Sequence, residues 1–415
     1  MDIRQDETRS PLPWILGIVL IAGLLIAGFI AQGSGSSPST ASDDVTAVDT
    51  ASTDASIASD DTAAQPTAPA PSATTAAPPA VDPTSTSTTA PASSTTLPPT
   101  VAGPAPLADG SFSNTAAAFD RLAGANSGAS LTVTRGGDMV FHDAAGATID
   151  GADATSDSPM VVASVSKLIV ALGIARLDEL GLIDVSAPAP WADLDLGQND
   201  GWNDVTVREL LDHTGGVPKA QESWFTGSGI SCRDHIPSLL TSPPAGDRGQ
   251  WVYSNGNYCL LGLVIESVTG EPLDVALQRL VFDPVGASGL HLTGDELLPG
   301  DLQHWEGVVR LSQLGGAGTL VVSTDDLATV FDHLSPADRA ILQPPGVFTD
   351  QYGFGHTGTV TGAKSCVWVL EDGATAVAAT ISGNSVASGG DICDIVVPAV
   401  ASDLGLGSAK PDRTP

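Results

Sequence analysis

The apolar residues of this chain fall into three regimes. Residues 12–31 form one unbroken run without a charge. At ~1.5 Å per residue, roughly 20 such residues cover a bilayer core of about 30 Å, so the run predicts a membrane-spanning helix. Residues 32–107 show no apolar period. From residue 108 onward the periods return. Residues 129–135 alternate and are rich in β-branched side chains. Residues 138–142 follow them across Gly136-Gly137, which predicts a hairpin. Residues 164–180 carry apolar positions at helical spacing, and Gly181 stands where a helix would be capped. Helices are also expected over 205–211 and 258–268. Near the end, 366–370 and 375–381 read as strands around the turn Glu371-Asp372-Gly373, and 395–404 as a last helix. Strands, then helices, then strands, then a helix predict an α+β fold: an antiparallel sheet flanked by helices, with a helical region inserted in the middle.

Charge changes the reading of the first regime. Arg4 and Arg9 precede the apolar run, and the next basic residue is Arg121. The positive-inside rule then leaves residues 1–11 as a cytoplasmic tail and places everything after 31 outside the cell membrane, with Trp14 at the interface. The rival reading is a cleaved signal peptide. It calls for a shorter apolar region ending in an A-x-A-like site, and Phe29-Ile30-Ala31 is a poor one. Residues 32–107 hold twelve prolines and seven aspartates but no Lys or Arg. Such a stretch cannot bury enough apolar surface to offset the entropy of ordering it, so a disordered linker is expected. Its reach is about 230 Å fully extended and about 50 Å as a coil. One folded domain is left, 108–406, followed by a short tail, 407–415.

The whole chain has 16 basic and 48 acidic residues, a net charge of −32. The tail contributes −1 and the linker −7, so −24 remains from residue 108 onward. A nucleic-acid partner is excluded, because no basic face can be built to neutralise phosphates. The 42% hydrophobic content still supports a substantial core. All four cysteines lie in the domain, and an even count in an exported domain suggests disulfides. Of the three possible pairings, sequence proximity favours Cys232–Cys259 and Cys366–Cys393. No C-x-x-C pair or metal-ligand spacing of histidines exists, so no metal is expected.

Three motifs carry candidate chemistry. Ser164-Val165-Ser166-Lys167 has the form S-x-x-K. On a helix these two residues share a face about 5–6 Å apart at Cβ. A lysine kept neutral by burial can take the serine proton and make the hydroxyl a nucleophile. The plain alternative is a helix start with Ser164 as N-cap. Tyr253-Ser254-Asn255 comes just before the helix expected at 258. A tyrosine near a lysine can have its pKa lowered and shuttle a proton, and the Asn255 amide can hold a substrate carbonyl and the lysine together. The plain alternative is a turn, since Asn-Gly follows. His356-Thr357-Gly358 lies just before the late strands, and by itself reads as a loop.

The order of the three motifs resembles the serine β-lactamase and D-alanyl-D-alanine carboxypeptidase superfamily, in the class C-like branch that also holds peptidases and esterases. Ala163 to Lys167 is similar to the nucleophile stretch of that branch. Leu210-Leu211-Asp212-His213-Thr214-Gly215-Gly216 resembles a second family segment, as do 253–262 and 316–327. The resemblance implies an acyl-enzyme on Ser164, with Lys167 and Tyr253 sharing acid and base duty. It implies an oxyanion hole from the backbone N–H groups of Ser164 and Thr359. Asn255, His356, Thr357 and Gly358 would bind the substrate, and no cofactor is needed. Class C β-lactamases usually carry lysine where this chain has His356, and histidine there points toward the carboxypeptidase-like and esterase-like members.

The resulting expectation is a membrane-anchored, extracytoplasmic serine hydrolase acting on cell-wall peptides or related esters. A class C-like β-lactamase is one alternative. A non-hydrolytic penicillin-binding sensor or wall-binding module is another, and the intact Ser164, Lys167 and Tyr253 argue against it. Glu209 and His213 read as structural residues.

Overall fold

A computed structural model describes residues 112–196, 201–219, 231–287, 290–292, 297–303, 311–383 and 391–406. The expected span at 12–31, the linker and both tails lie outside the described residues. No described helix is long and apolar enough to cross a membrane.

The strands are β1 (Gly128–Arg135), β2 (Asp138–Ala145), β3 (Met160–Val161), β4 (His291–Leu292), β5 (Leu320–Val322), β6 (Phe348–Asp350), β7 (Gly353–Val360), β8 (Ala363–Leu370) and β9 (Thr375–Ser382). The α-helices are α1 (Ser113–Ala123), α2 (Ser166–Glu179), α3 (Val207–Leu211), α4 (Cys232–Leu240), α5 (Asn255–Thr269), α6 (Leu273–Leu277), α7 (Thr324–Asp332), α8 (Pro336–Ile341) and α9 (Cys393–Asp403). Six strands make an antiparallel sheet in the order β2-β1-β9-β8-β7-β6, and β3-β5-β4 form a small second sheet. The fold is therefore α+β, as the order of periods predicts.

The inner strands are buried on both faces, and their pleat shows how. In β8 and β9, Cys366, Trp368, Leu370, Val377, Ala379 and Ile381 turn toward α1 and α9 and pack with Phe119, Leu122, Val396 and Val400. Val367, Val369, Ala376 and Ala378 turn the other way and join the main core around α2 and α5. A period of two cannot show as apolar-polar alternation when both faces are covered. In β1 the second face is polar: Ser130 and Thr132 meet Thr324 through their hydroxyls at 2.6 and 3.0 Å.

The helix expected over 164–180 is there, but its start differs. Residues Ala163–Val165 form a 3-10 turn, and the α-helix proper begins at Ser166. It is buried nearly all round, as a helix apolar on every side must be. The helix expected from 258 begins three residues earlier, at Asn255, because Ser254 caps it by accepting the Gly256 N–H. Glu209 completes a capping box with Thr206 at the start of α3 and also holds Arg248, which is the structural role read for it. The disulfides join Cys232 to Cys259, tying α4 to α5, and Cys366 to Cys393, tying β8 to α9. This is the pairing that sequence proximity favours.

Candidate active site

Ser164 sits on the 3-10 turn between β3 and α2. Its side chain makes no capping bond, so the N-cap alternative does not hold. Ala163, just before it, takes a left-handed backbone conformation at φ 46°. For a residue with a Cβ that costs roughly 1–2 kcal/mol, which the surrounding structure must hold in place. Two bonds from flanking sheets do so: the Val162 N–H donates to Leu320 O at 3.0 Å, and the Ser365 hydroxyl donates to Val162 O at 2.5 Å.

Two groups converge on the Ser164 hydroxyl. Lys167 Nζ lies 3.1 Å from it and the Tyr253 hydroxyl 3.1 Å from it. Lys167 is the second residue of α2, three positions after Ser164, and only 1% of it is exposed. It also donates to Ala317 O at 2.6 Å. Among the described residues no carboxylate is bonded to it, and burial brings its amine down from 10.5 to about 7. Tyr253 corrects an expectation. Its phenol is pushed up to about 12 by burial, against the pull of the Ser164 hydrogen bond. A tyrosine near a lysine was expected to have its pKa lowered, but burial outweighs the Ser164 hydrogen bond, and a desolvated amine near neutrality supplies little charge. Tyr253 is thus a protonated donor in the resting site.

Asn255 is the first residue of α5, and its Oδ1 is buried without a hydrogen-bond partner. The expected contact from Lys167 to this carbonyl is not made, because Lys167 reaches Ser164 and Ala317 instead. The Asn255 acceptor is left unengaged inside the site.

His213, expected as a packing and hydrogen-bonding residue and not a base, takes both roles beside Tyr253. It has φ 57° and is 2% exposed. Its ring lies 4.6 Å from that of Tyr253 and 5.2 Å from that of Tyr258. Its Nδ1 faces the Ser254 N–H at 3.3 Å and Asn257 Nδ2 at 2.8 Å, and its Nε2 is buried without a partner. Burial, with Lys167 and His356 nearby, lowers its pKa to about 3, so it is neutral. The Gly-rich turn after it was the available signal: histidine is enriched among the few non-glycine residues that take positive φ.

His356-Thr357-Gly358 lies within β7, not in a loop before the late strands. Gly358 explains why the strand can stand so near. A Cβ there would meet Ser365 Oγ and Val162 O and lie 3.1 Å from Ser164 N. The β7–β8 hairpin closes with Val360 opposite Ala363, and Thr359 pairs with Lys364. Antiparallel alternation from that closing pair turns the Thr359 N–H away from β8, toward the free edge that approaches Ser164. Thr357 pairs with Cys366 and so shares its pleat face with that residue, not with His356 and Gly358. The His356 Nδ1 bonds Thr357 O at 2.6 Å. Burial lowers the His356 pKa to about 3, with Lys167 adding to the effect.

Among the described residues, no cluster of His, Cys, Asp or Glu could hold a metal ion. A cleft of about 850 Å³ bordered by Trp202, Asp204, Pro244 and Arg248 includes none of the groups around Ser164.

The family model described as Beta-lactamase matches residues 112–396, which is nearly the whole described domain. The chain belongs to the beta-lactamase family. Within it, penicillin-binding protein 4* of Bacillus subtilis (strain 168) is 27% identical over 195 residues, covering 42% of this chain and 40% of that protein. Esterase EstB of Burkholderia gladioli is 31% identical over 178 residues, covering 38% of this chain and 45% of that one. The chain thus spans less than half the length of these relatives in the matched regions. The fold is shared with the D-amino acid amidase from Ochrobactrum anthropi SV3, at a TM-score of 0.59 and 19% identity over 70% of this chain and 98% of that one. Beta-lactamase-family members thus include penicillin-binding proteins and esterases, on a fold that also carries amidases.

Proposed function

We propose that this chain is a serine hydrolase that forms an acyl-enzyme on Ser164. The observation that carries the reading is the pair of 3.1 Å contacts to the Ser164 hydroxyl from a buried lysine and a half-buried tyrosine. Lys167, with its amine near neutrality, accepts the hydroxyl proton as Ser164 Oγ bonds to the carbonyl carbon of an ester or amide. The N–H groups of Ser164 and Thr359 take the negative charge on the carbonyl oxygen. Tyr253 passes a proton to the leaving oxygen or nitrogen as the carbonyl–heteroatom bond breaks, and is reprotonated from Lys167. Water then attacks the acyl carbon, releasing the acid and restoring the serine. Lys167 and Tyr253 titrate as a coupled pair, so the two share both duties. Asn255 and His356 face the substrate, and Gly358 lets β7 approach it.

The peptidase and esterase members supply the substrate class: a D-amino-acid peptide, amide or ester, in the class C-like manner of the motif order. The charge pattern around 12–31 supports a single-pass anchor, and the composition of 32–107 supports a linker that holds the domain outside the membrane, within reach of a cell wall.

Incubation with a fluorescent penicillin, beside Ser164→Ala, tests this. Labelling that persists marks a slowly deacylating penicillin-binding enzyme, and rapid turnover marks a β-lactamase. Ester hydrolysis without labelling marks an esterase. Absence of acylation and of ester hydrolysis contradicts the reading.

A further inference from the structure

A row of four rings runs beside Ser164. Neighbouring ring centroids are 6.4 Å apart for Trp251 and Tyr253, 6.1 Å for Tyr253 and His356, and 4.6 Å for His356 and Phe348. The inner two are sunk into the site. The outer two are not: Trp251 is 47% exposed and Phe348 38%. Trp251 is held in that position, since its Nε1 donates to Pro345 O at 3.0 Å, three residues before Phe348. Two large exposed rings continuous with a reactive serine present apolar area to whatever the serine attacks.

In this row the ring donors are already engaged: the Trp251 Nε1 on Pro345 O and the Tyr253 hydroxyl on Ser164. The His356 Nδ1 gives its proton to Thr357 O, which fixes the tautomer of the neutral ring. Nε2 then carries a lone pair and no proton. Among the described residues the Lys167 amine stands near enough to act on both His356 and His213, and it is engaged by Ser164 and Ala317. The −24 carried from residue 108 onward further opposes the approach of an anion.

We propose that Trp251, His356 and Phe348 are specificity-determining residues that select an uncharged ester or amide bearing an aromatic or branched apolar group, against substrates ending in a free carboxylate beside the scissile bond. The proposal rests on the serine-hydrolase reading and narrows its substrate class.

Three thioesters test it on the full chain. One is a phenylacetyl-glycyl thioester whose leaving thiol ends in a carboxamide. The second has the same acyl part with a leaving thiol ending in a carboxylate. The third is an acetyl thioester with the carboxamide thiol. The carboxamide substrate is expected to exceed its carboxylate twin in kcat/KM by about tenfold or more. Trp251→Ala and Phe348→Ala are each expected to lower the phenylacetyl-to-acetyl ratio by about tenfold. That ratio is read within one variant, so it does not depend on the fraction folded. His356→Lys is expected to shift preference toward the carboxylate twin. Equal or faster turnover of the carboxylate substrate, or an unchanged phenylacetyl-to-acetyl ratio in both alanine variants, overturns the proposal while leaving the hydrolase standing. If none of the three thioesters modifies Ser164, the hydrolase reading fails together with it.

Discussion

Behind the six-stranded sheet, α1 and α9 bury Phe119, Leu122, Leu131, Trp368, Ile381, Val396 and Val400 against one another. The polar groups that join α1 to the end of α9 sit at the edge and bond one another. Asp403 at the end of α9 accepts from the Thr115 N–H and hydroxyl at 2.7 Å each, and from Asn114 Nδ2 at 2.6 Å, capping a helix whose own N-cap residue, Phe112, makes no capping bond. In front of the same sheet the arrangement is reversed. Lys167, His213 and His356 are each at most 3% exposed, and Asn255 Oδ1 and His213 Nε2 are buried without partners. Ala163 and His213 hold left-handed backbone conformations. The back face converts apolar burial into stability. The front face uses part of that stability to keep polar groups dry and neutral, with the Asn255 Oδ1 acceptor left unengaged, which is the condition a reacting site requires.

The contrast makes substitutions on the two faces separable. The largest effect is expected from Lys167→Ala, which should lower the acylation rate by about 10³–10⁴-fold through loss of the base. Its thermal transition should not fall, because a desolvated amine is removed, and Lys167→Met should raise the melting temperature. A calorimetric scan beside a stopped-flow acylation trace reads both. Loss of folding in both variants would make Lys167 a structural residue. On the back face, Phe119→Ala should cost about 3–5 kcal/mol in denaturant unfolding. The acylation rate of the folded fraction should be unchanged; a matching drop in that rate would break the separation of the faces.

The pH dependence sharpens it further. Lys167 loses its proton near 7, so kcat/KM should rise with pH through about 7 and then level off. Stability should also respond. Unfolded histidines take a proton below 6.5, whereas His213 and His356 in the fold refuse it until about 3. The unfolded chain therefore binds more protons across that window, and stability falls as pH drops from 6.5 toward 3. Lysine acts in the same direction higher up: the fold releases its proton at about 7 and the unfolded chain at 10.5, so this group's contribution improves as pH rises between them. Chemical denaturation at stepped pH measures the slope, and His213→Phe should flatten its acid limb. The smallest effect belongs to Asp403→Ala, expected to cost about 1 kcal/mol as a lost helix cap. Burial raises the Asp403 pKa, but the bonds from Thr115 and Asn114 outweigh it and hold the pKa below 3.8. The stabilisation is thus present above that value and lost as pH falls through the lower folded one.

How far the sequence could be read follows from the range of each cause. Ser164 and Lys167 were legible because a separation of three residues, from the 3-10 turn into α2, is a local relation. The disulfide pairing was legible because both pairs are close in the chain. The strand β7 was not, since Gly353, Gly355 and Gly358 erase its side-chain pattern and leave it looking like a loop. Those positions show no pattern because a neighbouring backbone occupies the space of a Cβ, which only the fold reveals. The start of α5 was hidden by Asn255-Gly256, a turn signal that the Ser254 cap overrides. The direction of the Tyr253 shift and the place of His213 depend on burial by segments far apart in the chain. Strands of two or three residues, such as β3 and β5, are too short to carry a period at all.

The central claim is that Ser164 is a nucleophile activated by Lys167 and Tyr253. Intact-mass and peptide-mass analysis after brief exposure to a phenylacetyl-glycyl thioester tests it most directly. The account predicts one acyl group per chain, located on Ser164, absent from Ser164→Ala and strongly reduced in Lys167→Ala. An acyl group found on another residue, or equal labelling of Ser164→Ala, would contradict it.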